Sequence, residues 1–117
     1  MIIKKITSKQ DGLKLEIAIM ECKNPKGIVQ FSHGMAEHKE RYFDFMRYLN
    51  DRGYICVIHD HRGHGGSVKS KNDYGYFYTE NADYIVEDLF QVTEYVREMY
   101  PGLEVTLFSH SMGTLVA

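Results

Sequence analysis

Three short apolar runs, residues 28–32, 54–58 and 105–108, lack the alternating polar positions of a half-wetted strand, and segments of helical period separate them. A strand without a polar face is one covered on both sides, and helices between such strands supply the two covers. The pattern therefore predicts an α/β fold with a mostly parallel sheet. From about 38 to 52, Tyr42, Phe45, Met46 and Leu49 fall at i, i+3, i+4 and i+7, one apolar helix stripe, with Gly53 at the expected C-terminal cap. A second helix is expected after the N-cap Asn81, with Ile85, Leu89, Val92, Val96 and Met99 inward and Glu87, Gln91, Glu94 and Glu98 outward, ending at Pro101-Gly102. Residues 2–9 and 13–22 alternate about Asp11-Gly12 and read as an antiparallel hairpin with one wetted side, Leu13, Leu15, Ile17 and Ile19 sharing the dry face. Residues 62–78 have no sustained period and read as a long loop.

With 117 residues, the chain suits one modest domain. A net charge of -2 and the absence of a basic stripe argue against nucleic acid as a partner. No apolar run approaches the ~20 residues of a membrane span, and the first residues lack the apolar core of a secretory signal, so the expected place is the cytoplasm. Cys22 and Cys56 could pair in a disulfide, but free buried thiols are expected in a reducing compartment.

The chemistry concentrates at three places. Ser109-His110-Ser111-Met112-Gly113 lies between the run 105–108 and residues 114–117, which read as the opening turn of a helix. A nucleophile on so tight a strand-to-helix turn needs small residues two before and two after it, here Ser109 and Gly113. Such a turn lifts the Ser111 hydroxyl clear of the sheet and points the Met112 N–H where an oxyanion would develop. His33-Gly34-Met35-Ala36-Glu37-His38 follows the first apolar run, where Gly34 allows close backbone approach. His59-Asp60-His61-Arg62-Gly63-His64-Gly65-Gly66-Ser67 follows the second. Its histidines and aspartate invite a metal reading, but Asp60, His61 and Arg62 can satisfy one another and the loop backbone, with the glycines making a tight surface turn. Gly63 to Gly66 fits neither a dinucleotide fingerprint nor a P-loop, and no cofactor is expected.

These blocks carry a resemblance. His33-Gly34-Met35-Ala36-Glu37-His38 with Arg41-Tyr42 resembles the HGxxEHxxRY segment of monoacylglycerol lipases and bacterial lysophospholipases. Residues 60–67 are similar to that family's DHRGHGxS loop, and residues 109–113 to its GHSMG elbow, with Ser109 in place of the first glycine. The resemblance implies an α/β-hydrolase fold and acyl transfer from a lipid or other ester through Ser111. The backbone N–H groups of Met35 and Met112 would then hold the oxyanion. It also implies that residues 1–117 are the N-terminal portion of a single domain, truncated after the elbow.

In that fold the acid and the histidine of the triad follow the serine in sequence. Here His33, His38, His59, His61, His64 and His110 all precede Ser111. The chain alone is therefore expected to be inactive or nearly so, and the run 105–108 to be a bare apolar edge open to self-association or a partner fragment. Two other readings stand beside the esterase: an aminopeptidase of the same fold, and a non-enzymatic module or half of a split enzyme. Epoxide hydrolases are disfavoured, because their elbow carries aspartate where this chain has Ser111.

Overall fold

The computed structural model describes residues 1–34, 37–79, 81 and 83–109. Five strands, β1 (Ile2–Thr7), β2 (Lys14–Met20), β3 (Gly27–Ser32), β4 (Tyr54–His59) and β5 (Val105–Ser109), form one mixed sheet in the order β1-β2-β4-β3-β5. The β1–β2 and β2–β4 pairs are antiparallel, and β4–β3 and β3–β5 are parallel. Helix α1 (Phe43–Asn50) connects β3 to β4, and α2 (Asp83–Met99) connects β4 to β5.

Two apolar clusters cover opposite faces of the sheet. Ile17, Ile19, Ile28, Ile55 and Val57 pack with Val92 and Val96 of α2. Ala18, Met20, Phe31, Cys56 and Ile58 pack with Met46 of α1. The expected wetted side of the hairpin holds for β1, which alternates half-buried and exposed, and is corrected for the second half of β2. Successive residues of β2 point to opposite faces, and both faces meet a helix once β2 lies beside β4, so Ala18 and Met20 are buried as fully as Ile17 and Ile19. Gln30, a polar side chain in the middle of the β3 run, is also buried. It donates to the Leu89 carbonyl at 3.3 Å and accepts from the Thr93 hydroxyl at 2.6 Å, fastening β3 to α2.

The expected first helix is shorter than its apolar stripe. A 3-10 turn (Lys39–Tyr42) precedes α1, because Lys39 and Tyr42 are drawn into polar contacts described below. The second helix begins as expected, with the Asn81 side chain accepting from the Asp83 N–H at 3.0 Å. Gly53 has φ +98°, the left-handed conformation that glycine adopts without penalty, and its carbonyl accepts from the Lys26 N–H. The run 105–108, apolar enough for a strand covered on both sides but expected to be a bare edge in this chain, forms β5 at the sheet edge, paired to β3 alone among the described residues, with Leu107 and Phe108 38% and 40% exposed. Cys22 and Cys56 are free thiols, Cys56 buried and Cys22 only half-buried. Among the described residues no helix is long and apolar enough to cross a membrane.

Candidate active site

The parallel strands end level. His59 of β4 pairs with Ser32 of β3, and Ser32 pairs with Ser109 of β5. The chain therefore leaves all three strands at one end of the sheet, from the level residues Ser32, His59 and Ser109. Ser111, Met35 and Met112, the residues expected to do the chemistry, lie outside the described residues, as does His110. The described residues form a polar frame at the ends of β3 and β4.

His33 is buried with both ring nitrogens engaged. Nδ1 lies 2.8 Å from the Gly34 carbonyl, and the His61 N–H donates to Nε2 at 2.9 Å. An acceptor at Nε2 and a partner carbonyl at Nδ1 define the neutral Nδ1–H tautomer. Burial also holds the His33 ring below its ordinary pKa. On the far side of Gly34, the Glu37 carboxylate accepts the Gly34 N–H at 2.6 Å and the Tyr42 hydroxyl at 2.8 Å, with Arg41 Nε at 3.3 Å. The Glu37 and Arg41-Tyr42 positions of the segment thus share one carboxylate.

His33, His59, His61 and His64 gather behind this segment, with His61 4.4 Å from His33 and 4.9 Å from His59 between ring centroids. Ser32 Oγ lies 2.9 Å from His61 Nε2. Both nitrogens of His59 and Nδ1 of His61 are buried without a hydrogen-bond partner among the described residues. Burial, reinforced by His33, pushes His59 down to about 3, and burial with the neighbouring imidazoles holds His61 well below its ordinary value. Among the described residues no group of histidine, cysteine, aspartate and glutamate is arranged to hold a metal ion.

The 60–67 loop differs from its expected form. Asp60, His61 and Arg62 do not satisfy one another, and their side chains, with those of His64 and Ser67, are buried rather than on a surface turn. Asp60 takes the Lys39 ammonium at 2.8 Å, the Lys39 N–H at 2.7 Å and the Gly66 N–H at 2.9 Å. Lys39, 1% exposed, also pairs with Glu16 and Glu40. Burial alone would lower the pKa of this ammonium, and the three carboxylates reverse that and raise it. Gly63, at φ +77°, lies so close to Tyr76 that a Cβ would stand 2.3 Å from the Tyr76 carbonyl oxygen.

Arg62 reaches away from the loop. Nε donates to Asp88 at 2.8 Å, and the two terminal nitrogens meet Asp11 at 2.8 and 3.1 Å, with the Phe77 carbonyl at 2.9 Å. This forked contact lowers the Asp11 pKa. One guanidinium thereby joins the β1–β2 turn, α2 and the loop after β4.

A cavity of about 420 Å³ opens beside the frame, lined by Glu37, His38, Gly63, His64, Gly65, Tyr74 and Gly75. Sequence reasoning missed the partners of Glu37, Lys39 and Arg62. A signal existed for the last: Asp88 stands inside the apolar stripe between Ile85 and Leu89, where a carboxylate requires a buried cation.

Comparison with known proteins supplies the family. The profile described as serine aminopeptidase, S33, matches residues 23–117. Human monoglyceride lipase is 36% identical over 93 residues, covering 80% of this chain and 29% of that enzyme. A monoglyceride lipase homolog of monkeypox virus is 34% identical over 96 residues, covering 80% of this chain and 32% of the viral protein. The chain thus spans less than a third of the length of these relatives. A thermostable carboxyl esterase from Bacillus coagulans, solved with glycerol, superposes over 99% of this chain and 38% of its own with a TM-score of 0.90 at 29% identity. A monoglyceride lipase from Saccharomyces cerevisiae shares the fold with a TM-score of 0.79, over 97% of this chain and 36% of its own, at 24% identity. Sheet order, the level carboxyl ends of β3, β4 and β5 and these likenesses agree, and the chain belongs to the serine aminopeptidase S33 family of α/β-hydrolases.

Proposed function

We propose that this chain carries the nucleophile and oxyanion elements of a serine hydrolase acting on carboxylic esters of the monoacylglycerol or lysophospholipid kind. The observation that carries the reading is the parallel register of Ser32 with Ser109. From these paired positions the sequence runs directly into His33-Gly34-Met35 after one strand and His110-Ser111-Met112 after the other. In this reading Ser111 attacks the ester carbonyl, and the N–H groups of Met35 and Met112 receive the oxyanion, each worth about 3 kcal/mol in the transition state. The alcohol leaves as the acyl-enzyme forms, and water then releases the acid. The lipase names of the relatives support a lipid ester, whereas the family description leaves an amide as the rival substrate.

Within these residues no histidine fits the role of base: all six precede Ser111, and those nearest the site are neutral and locked or fully buried. The 117-residue chain is therefore expected to turn over neither substrate class. A polypeptide that contains it and also carries an acid and a histidine after Ser111 should hydrolyse a long-chain monoacylglycerol and lose that activity on Ser111→Ala. Preferential cleavage of an aminoacyl anilide would move the assignment to the aminopeptidases. No turnover of either substrate by the folded protein would favour a binding module.

The exposed edge carries a second expectation, self-association of the chain. Phe108 packs on Phe31 and Phe45 at 5.4 and 5.3 Å, and with Leu107 it leaves apolar surface beside an unpaired ladder of backbone groups among the described residues. Light scattering of the 117-residue chain at micromolar concentration should give a dimer or larger species. A monomeric mass contradicts it.

A further inference from the structure

The turn between β3 and α1 is closed by one side chain. Gly34 and Glu37 are joined twice, the Gly34 N–H donating to Glu37 Oε1 at 2.6 Å and the Glu37 N–H donating to the Gly34 carbonyl at 3.2 Å. The same Oε1 takes the Tyr42 hydroxyl at 2.8 Å, and Oε2 lies 3.3 Å from Arg41 Nε. The start of α1 is thereby tied to the first residue after the strand. From the other side His33 reaches the Gly34 carbonyl, so Gly34 is held at both its polar atoms. A charge-assisted bond to a backbone N–H is among the stronger contacts available to a loop. Burial, together with the Glu37 carboxylate, pushes the Tyr42 phenol up to about 12, in keeping with a donor committed to that contact.

We propose that Glu37 is a positioning residue, resting on the reading of Ser111 as nucleophile: its carboxylate fixes Gly34, the residue immediately before the one to which that reading assigns an oxyanion donor. An oxyanion donor acts over a few tenths of an ångström, and its strength is felt in the transition state rather than in substrate binding. Glu37 should therefore govern kcat and leave KM nearly alone.

The test compares Glu37→Ala and Glu37→Gln with wild type in the active polypeptide, using steady-state monoacylglycerol hydrolysis and amide hydrogen exchange of the peptide spanning 33–38. Glutamine keeps an oxygen acceptor for the Gly34 N–H, whereas alanine removes it. The expected result for Glu37→Ala is a fall in kcat of about 100-fold with KM within about threefold, as a misplaced catalytic group costs, and exchange of the 33–38 peptide faster by about tenfold or more. Glu37→Gln should recover most of kcat and the wild-type exchange.

A rise in KM with kcat intact, or a loss of kcat that glutamine does not rescue in a folded protein, overturns the proposal. So does exchange that is equal in all three proteins. If the wild-type protein shows no turnover while exchange at 33–38 still depends on Glu37, the proposal falls with the nucleophile assignment it rests on. The exchange result then identifies Ser111, not the clamp, as the point of failure.

Discussion

Arg62→Met should destabilise the fold by about 3–5 kcal/mol, the usual consequence of removing one partner from a buried ion pair. Methionine retains most of the volume and none of the charge, so the loss reads the electrostatics rather than a cavity. Two carboxylates lose their cation unequally. Asp11 is a quarter exposed and recovers water, but Asp88 is 1% exposed and among the described residues keeps only the Ser8 hydroxyl, at 2.6 Å. A domain of ordinary stability has about 5–15 kcal/mol to lose, so the variant should sit close to unfolding. Urea denaturation checks this through the midpoint at constant slope. The double variant Arg62→Met with Asp88→Leu should recover much of the loss, because no charge then stays buried alone. A single-variant loss below about 1 kcal/mol would mean that the pair is not closed in solution.

Acid should destabilise this fold well above the range where carboxylates titrate. His33, His59 and His61 are buried neutral, each with its pKa lowered by burial first. The unfolded chain takes up protons at these rings from about pH 6.5, while the folded chain refuses them until its own lower values. Between those limits the unfolded state binds more protons, so stability falls as pH falls. Their contribution is whole above pH 6.5 and is lost progressively below it, down toward pH 3 for His59.

Each histidine adds about 1.4 kcal/mol per pH unit to the slope. His59 alone gives about 1.4 kcal/mol per unit between pH 6 and 4.5, and His33 and His61 steepen the fall in the same direction. Urea midpoints across that window should fall steeply, and His59→Phe should remove one histidine's share of the slope. A flat profile from pH 7 to 4.5 would show that the cluster is hydrated or already charged. The site shares this sensitivity, since His33 holds Gly34 and its neighbour His61 holds Ser32.

The parallel core was legible because β3 and β4 are read by a local rule. Ile28, Phe31, Ile55, Val57 and Ile58 have no polar alternation, and only two-sided cover explains that. The α2 stripe and its Asn81 cap were legible for the same reason. Strand β2 misled because alternation over Leu13, Leu15, Ile17 and Ile19 reports one face only. The burial of Ala18 and Met20 depends on where α1 lands, which is long-range information. The polar frame misled in a similar way. Lys39 and Arg62 look like surface residues by type, and Asp60, Asp88 and Asp11, which hold them, lie 21 to 51 positions away. The three motif blocks were visible as residue types, but a sequence does not display that a single Glu37 carboxylate serves both Gly34 and Tyr42.

The most direct test of the central claim is the intact mass of the active polypeptide before and after a fluorophosphonate probe, with Ser111→Ala alongside. The account predicts one adduct, located on Ser111 and absent from the alanine variant, while the 117-residue chain alone stays unmodified. An adduct that survives Ser111→Ala, or a folded polypeptide with an acid and a histidine beyond Ser111 that takes no label, would contradict it.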